Sequence, residues 1–506
     1  MALSVFEGGF TRESARALSL QGRLGISLPL LAALLDKSLL SMQGGLRYAL
    51  HPVVQAYASE RLAEDPLAQA RARDEHAACF ARLLAALAPL SRTDSKRLLQ
   101  GIDPELGNVR AAWQHAVATR RAEILGEMTM ALGRYLEASG RFAEGAQWFR
   151  HAMTALVAAT PEPPRAPWAL QRLRLALALM LHRGGHQGEA LAVADAGVRA
   201  GIADGDLETY LGCLGGSGSA LWAQGQLAQA HERFGQALLL AREHHDRHGT
   251  GQALGNLAIT HQARGENAEA VACSEEALAI ARELGNHYLA CVHQINLCVA
   301  RGAAGDHGAA AVGWREAIAH AQVHGLHYHE RHAHGGLAGA LHSLGRLEEA
   351  RAQAQVALEG ARTSGTIDLQ TWMLGLLARI EIAEARYESA MAPLRELVRV
   401  ALQNGMQVDL LRSARHYAMV RAGLGHRVEA VRILRMVIAH PQTPRDNARQ
   451  YGPDLEGLKL SAGEEHSVHE APAPSLDEVL AAIEASAEPV PGGPSRRLNE
   501  LPAAPA

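Results

Sequence analysis

Between residues 185 and 440 the chain alternates apolar and polar positions with helical spacing, in blocks of about twenty residues. In "NAEAVACSEEALAIARELG", residues 267–285, apolar side chains return every three to four positions and no breaker precedes the closing glycine. The next block, "NHYLACVHQINLCVARGAA" at 286–304, has the same periodicity. Gly185, Gly225, Gly265, Gly305, Gly345 and Gly425 fall on a 40-residue period, with Ala385 in the one vacant place. Ala190, Ala230, Ala270, Ala310, Ala350, Ala390 and Ala430 each follow five residues later. A second mark falls midway, at Gly205, Gly285, Gly325, Gly365 and Gly405, with His245 as the exception. Each period therefore reads as two helices joined by tight turns, glycine supplying the left-handed backbone. The alanine is small where the paired helix crosses. One such hairpin cannot bury both apolar faces, so copies must stack into a superhelix.

A less regular copy, "SGRFAEGAQWFRHAM", sets Gly140 45 residues before Gly185, the excess taken up by the Pro-rich loop "ATPEPPRAP". The turn-plus-alanine pattern over 131–440 resembles tetratricopeptide repeats with a lengthened period. The expected fold is all-α: a right-handed tetratricopeptide-like α-α superhelix of about eight helix hairpins. A concave groove is what such an array implies, suited to a protein or peptide.

The ends of the chain differ from its middle. "TRESARALSL", "LPLLAALLDKSLL", "SMQGGLRYAL" and "HPVVQAYASERLAED" read as helix, helix, short hairpin and helix, a winged-helix order, over 1–64. "LLDKSLL" followed by "LRYALHPVVQAYASERL" resembles the winged-helix segment of signal-transduction ATPases of the NB-ARC/STAND type. "DEHAACFARLLAALAPL" and "DPELGNVRAAWQHAV" resemble the helical connector of those proteins, here 65–130. This resemblance implies a sensor or regulatory part of a bacterial ATPase or transcriptional regulator, with a nucleotide-binding domain packing on the winged helix. No Gly-Lys pair occurs, so the phosphate-binding loop of that ATPase is expected outside this chain. Two alternatives stay open: a regulatory subunit of an ATP-dependent enzyme whose nucleotide domain is on a missing or separate chain, or a free-standing interaction scaffold. From 441 to 506, ten of the 20 prolines and 11 acidic against 5 basic residues predict a mostly disordered tail. Within it Ser475 and Glu478 form a capping-box pattern, a short helix that could dock on the array or on a partner, against a transient local helix.

Composition narrows the chemistry. Aromatics are only 4% and the net charge is −4, which gives no basis for stacking or attracting nucleic acid. Residues 1–64 carry six basic and five acidic side chains, and the would-be reading helix offers only Asp36, Lys37 and Ser38. Five cysteines without CxxC spacing, and no apolar run long enough for a membrane, point to a cytoplasmic protein. We find no catalytic constellation and expect neither enzyme activity nor a cofactor.

Individual residues remain. His51 corresponds by resemblance to the nucleotide-sensing histidine of NB-ARC-type proteins, although Pro52 stands where that family usually has Asp; a plain helix-start role competes with it. Asn256 and Asn296 occupy equivalent places in two units and are groove candidates, against a role in capping or bridging helices. In "HAQVHGLHYHERHAH", His320 and His324 share a helix face and form a candidate metal pair. The run crosses the Gly325 turn, so its members should point apart, and no metal site is assigned.

Overall fold

The computed structural model describes residues 1–18, 28–44, 47–90, 95–443, 445–458 and 473–486, with a few isolated positions between the last two. The chain divides into two compact units, one of residues 1–305 and 319–326, the other of 306–318 and 327–506.

The fold is all-α apart from one small sheet. Paired helices begin earlier than expected, at Ala122–Ala138 with Phe142–Val157, and continue as Ala166–Arg183 with Gln187–Ala200, Leu207–Ala223 with Leu227–Glu243, and Arg247–Ala263 with Asn267–Glu283. His287–Ala303 with His307–His324, Leu347–Ser364 after His327–Ser343, Tyr387–Gln403 after Ile367–Ala383, and Arg427–Ala439 after Gln407–Gly423 complete them. All seven periodic alanines, from Ala190 to Ala430, are at most 1% exposed, because the partner helix lies on their methyl groups. The glycines of both series have φ between 62° and 91°. The two exceptions obey the same backbone demand: Ala385 sits at φ 57° and His245 at φ 54°. Replacing Ala385 by Gly removes the left-handed strain at some cost in unfolded-state entropy. The expected net effect is a stabilisation of about 0.5–1 kcal/mol, read as a raised guanidinium midpoint; a lowered midpoint would contradict it.

At the N-terminus, β1 (Phe10–Thr11), β2 (Leu40–Gln43) and β3 (Arg47–Leu50) form an antiparallel sheet in the order β1-β3-β2. Helix Arg12–Ala17 follows β1, helix Leu28–Asp36 precedes β2, and helix Pro52–Ala63 follows β3. β1 was not foreseen: two residues are too few to show alternation. The boundary expected at residue 64 is no break in the core. Leu3, Phe6, Phe10 and Leu40 share one apolar cluster with Phe80, Leu84 and Trp113 of the connector and with Leu132 of the first hairpin.

That junction is held by polar groups the sequence placed without explaining. Asn108, fully buried, accepts from the Glu7 N–H at 2.7 Å and donates to the Gly9 carbonyl at 2.9 Å and to Glu105 at 2.8 Å. Since its Oδ1 only accepts, the His76 ring 3.3 Å away must donate through Nε2. Arg47 pairs with Glu105 and donates to the Gly8 carbonyl at 3.2 Å. Gly107 is required here, because a Cβ would come within 2.9 Å of the Glu7 carbonyl oxygen.

In the second unit, the mostly disordered tail needs correction for two stretches. Arg445–Gly457 and Leu476–Ala485 are helices. The second has the full capping box of Ser475 and Glu478, but it is not a transient local turn. Val479, Leu480 and Ile483 enter a core with Leu394, Val398 and Leu411, and Arg395 donates to the Ser486 carbonyl at 2.6 Å. Three apolar residues on one face outweigh the acidic composition around them.

Candidate functional site

In the first unit the first helices of five successive hairpins, from Ala122–Ala138 to His287–Ala303, line one concave cavity of about 270 Å³. Its wall is largely apolar: Met130, Leu175, Leu179, Ile259, Leu289 and Val292 face it. Helix Leu207–Ala223 contributes Gly212, Gly215 and Gly216. Glycine costs a helix roughly 1 kcal/mol per residue against alanine, and two positions show the return. At Gly212 a Cβ would lie 2.7 Å from Leu175, and at Gly255 one would lie 2.3 Å from the His293 ring. The helices therefore approach closely at these points, while at Gly215 and Gly216 nothing lies nearer than 3.6 Å and the wall stays open.

Polar side chains are interspersed in the wall of the cavity, among them Glu208, His248, Gln252 and Ser219. Asn256 and Asn296 both line it, and neither side chain makes a hydrogen bond among the described residues. No hydrogen-bonded cap or bridge by either is found among the described residues, although the Asn256 amide lies against Gly215 of the neighbouring helix. Sequence reasoning missed His293, which also lines the cavity, is 3% exposed, and has no hydrogen-bond partner at either ring nitrogen. Burial, with a smaller contribution from the nearby His248, pushes its pKa down to about 4, so it is neutral at pH 7. One signal for it was present: His293 lies three residues, about one helical turn, before Asn296, but an imidazole on a helix carries no exposure label. Arg134 supplies charge at one end; its Glu137 partner, 2.7 Å away, raises its pKa. The cavity thus offers neutral amides with donors and acceptors, a neutral imidazole, the charged Arg134 and Glu208, and apolar recesses. Among the described residues no serine or threonine of its wall is hydrogen-bonded to a base, and the arrangement suits binding.

The other sequence candidates lie elsewhere. His51 is exposed and is the N-cap of helix Pro52–Ala63, its Nδ1 accepting from the Val53 N–H at 3.4 Å. The histidine run does point apart. His334 meets Gln353 at 2.7 Å, and His327 is exposed beside Glu330. His320 and His324 share a face, as expected, and have a third neighbour in His287. In the second unit, Trp372, Arg379, Arg412, Arg415, His416 and Tyr451 line a cleft of about 360 Å³. There Arg412 is paired with Asp409, and Arg415 is paired with Asp454 and stacked on Tyr451.

Comparison with known proteins agrees with the repeat architecture. The tetratricopeptide repeat model matches residues 211–283, and the model of anaphase-promoting complex subunit 5 matches 373–449. No curated protein sequence matches the chain. Among solved structures, a signal transduction ATPase with numerous domains (STAND) with a tetratricopeptide repeat sensor, from Pyrococcus horikoshii, superposes with TM-score 0.61 at 15% identity. That match covers 90% of this chain and 63% of the other, so the chain spans under two thirds of that protein's length. A Rap protein complexed with competence and sporulation factor matches at TM-score 0.49 and 12% identity, over 72% of this chain and 99% of its own. The quorum sensor NprR from B. thuringiensis, in its apo form, matches at 0.48 and 14%, over 68% and 96%. The chain is a tetratricopeptide-like helical repeat scaffold, of the fold seen in STAND repeat sensors.

Proposed function

We propose that this chain is the sensor part of a STAND-type regulator, holding a peptide or a segment of a protein in the cavity of its first unit. The observation that carries this reading is the polar set Asn256, Asn296 and His293 in a largely apolar wall, of which His293 is buried with neither ring nitrogen hydrogen-bonded. A buried polar group without a partner costs on the order of 1–3 kcal/mol, which a ligand's main-chain amides would recover. Asparagine side chains donate and accept at once and so match a peptide backbone without regard to sequence. The apolar recesses would choose among its side chains. The likeness to a STAND protein with a repeat sensor supports the same assignment.

The N-terminal segment suits a nucleotide-binding domain as its neighbour. Leu28, Leu30, Val53 and Tyr57 are large apolar side chains exposed on helices Leu28–Asp36 and Pro52–Ala63, beside the exposed His51. We read this segment as a winged-helix packing module in a cytoplasmic protein, without catalytic activity or DNA binding of its own. A change of occupancy in the groove would reach the N-terminal segment through the apolar core that joins it to the first hairpins, whose Ala176 and Leu179 line the groove.

Selection from a random peptide library on the intact protein tests the groove. Binders are expected to lose affinity about tenfold or more on Asn256→Leu with Asn296→Leu, while the melting temperature stays within a few degrees, both side chains being part-exposed. Peptides held equally well by the double variant, or no binders at all, would sink the assignment.

A further inference from the structure

We propose that His287, His320 and His324 form a binding site for a transition-metal dication, with Zn²⁺ or Ni²⁺ as the fitting ions. One ring nitrogen from each residue lies within 4.8 Å of the other two. His287 is the first residue of helix His287–Ala303, and His320 and His324 stand one turn apart in the last turns of helix His307–His324. The residues come from the open end of a helix hairpin, 33 positions apart in sequence for His287 and His320.

Geometry and chemistry agree on the ion class. Bonds of about 2.1 Å set tetrahedral ligand nitrogens roughly 3.4 Å apart. The three nitrogens must therefore close by little more than an ångström. The His287 and His324 rings are stacked, centroids 3.7 Å apart and planes within 14°. Parallel rings do not aim both lone pairs at one ion, so binding turns one of them about its Cβ–Cγ bond, a soft torsion for an imidazole. His320 is already oriented. Its Nε2 lies 2.9 Å from the His287 carbonyl oxygen, which can only accept, so Nε2 carries the proton and the lone pair is on Nδ1. Ligation through Nδ1 keeps that bond, the usual outer partner of a metal-bound histidine. Three imidazoles leave a fourth position for water.

No carboxylate belongs to the cluster, and Lys96 packs against Gly325, the residue after His324. With imidazoles as its only ligands, the site selects by ligand type. It should take Zn²⁺, Ni²⁺ or Cu²⁺, which favour imidazole, and ignore Mg²⁺ and Ca²⁺, which favour oxygen. Its effect would be mechanical: an ion there ties the start of one helix to the end of the next.

Zn²⁺ titration of the intact, chelator-stripped protein, in competition with a chromophoric chelator, tests the site. We expect one tight equivalent, a raised melting temperature, and no response to Mg²⁺. His287→Ala, His320→Ala and His324→Ala should each weaken the first equivalent about tenfold or more, and His327→Ala, at an exposed histidine outside the cluster, should leave it unchanged. Circular dichroism establishes that each variant is folded. Should a variant unfold, the visible spectrum of the Co²⁺-loaded wild type decides: an intense tetrahedral band supports the site, and a weak octahedral one overturns it. No stoichiometric Zn²⁺ binding, or binding that survives all three substitutions, overturns the proposal.

Discussion

Between pH 6.5 and pH 4 the protein is expected to lose its first unit to acid unfolding. His76 and His293 are each at most 3% exposed, and burial pushes both from the ordinary 6.5 down to about 4. The Asn108 acceptor offsets part of this for His76, and the charge of His248 adds to it for His293. The folded chain thus holds both rings neutral where the unfolded chain would protonate them. A depressed histidine stabilises the fold fully above 6.5, and that contribution is lost as pH falls toward 4. A change of that size corresponds to on the order of 3 kcal/mol per residue, a large share of the 5–15 kcal/mol that holds a typical domain. His416 of the second unit, also buried and held well below 6.5, adds in the same direction. Melting temperatures followed by scanning fluorimetry from pH 7.5 to 4.5 should fall steeply below pH 6.5. His293→Gln, which cannot charge, should flatten part of that fall. A curve that stays level down to pH 4.5, or a variant that tracks the wild type, would show that these rings accept protons without cost.

Asn108→Ala should be the most damaging single change at the junction between the N-terminal segment and the repeats. It removes four hydrogen bonds at once and leaves the Glu7 N–H, the Gly9 carbonyl and His76 Nε2 without their partner. It also strips the Glu105 carboxylate, which lies beneath Arg47, of its amide donor. Each orphaned group costs roughly 1–3 kcal/mol, so we expect a loss of about 3–5 kcal/mol. Asn108→Asp separates hydrogen bonding from volume: the shape is kept, but the donors become a second carboxylate beside Glu105, and the loss should be comparable. Chemical denaturation gives the size, and limited proteolysis gives the place, as faster cleavage within the first 18 residues. A cost below about 1 kcal/mol for Asn108→Ala would mean that the apolar cluster around Phe6, Phe10 and Phe80 holds the segment unaided.

This network shows how sequence and structure divide the information. "DPELGNVRAAW" marked a connector by resemblance, and nothing in it indicated that Gly107 and Asn108 receive the backbone of Glu7 and Gly9, about a hundred residues earlier. The repeats were legible for the opposite reason. Their constraints are local: a left-handed turn every twenty residues demands glycine, and a helix crossing demands alanine, so each copy writes the same marks. Even the exceptions, Ala385 and His245, adopt the backbone that their neighbours predict.

The candidate sites were legible in part. Asn256 and Asn296 were recognisable because the period itself aligns them, and His320 with His324 because one helical turn does. His293 and His287 were not, since their importance depends on what surrounds them: a ring enclosed beside Gly255, and a helix start brought beside the end of the following helix. The tail read as mostly disordered where composition was averaged over 66 residues, with docking of its one capped helix left open, while three side chains on one face of Leu476–Ala485 decided the packing. By itself, then, the sequence determined the all-α repeat, its period and its turns, because those follow from contacts within one hairpin. Tertiary structure alone decided which polar groups stay unsatisfied in a shared cavity, which histidines meet, and that the N-terminal segment joins the repeats in one core. Those contacts join residues tens of positions apart, and no periodic mark records them.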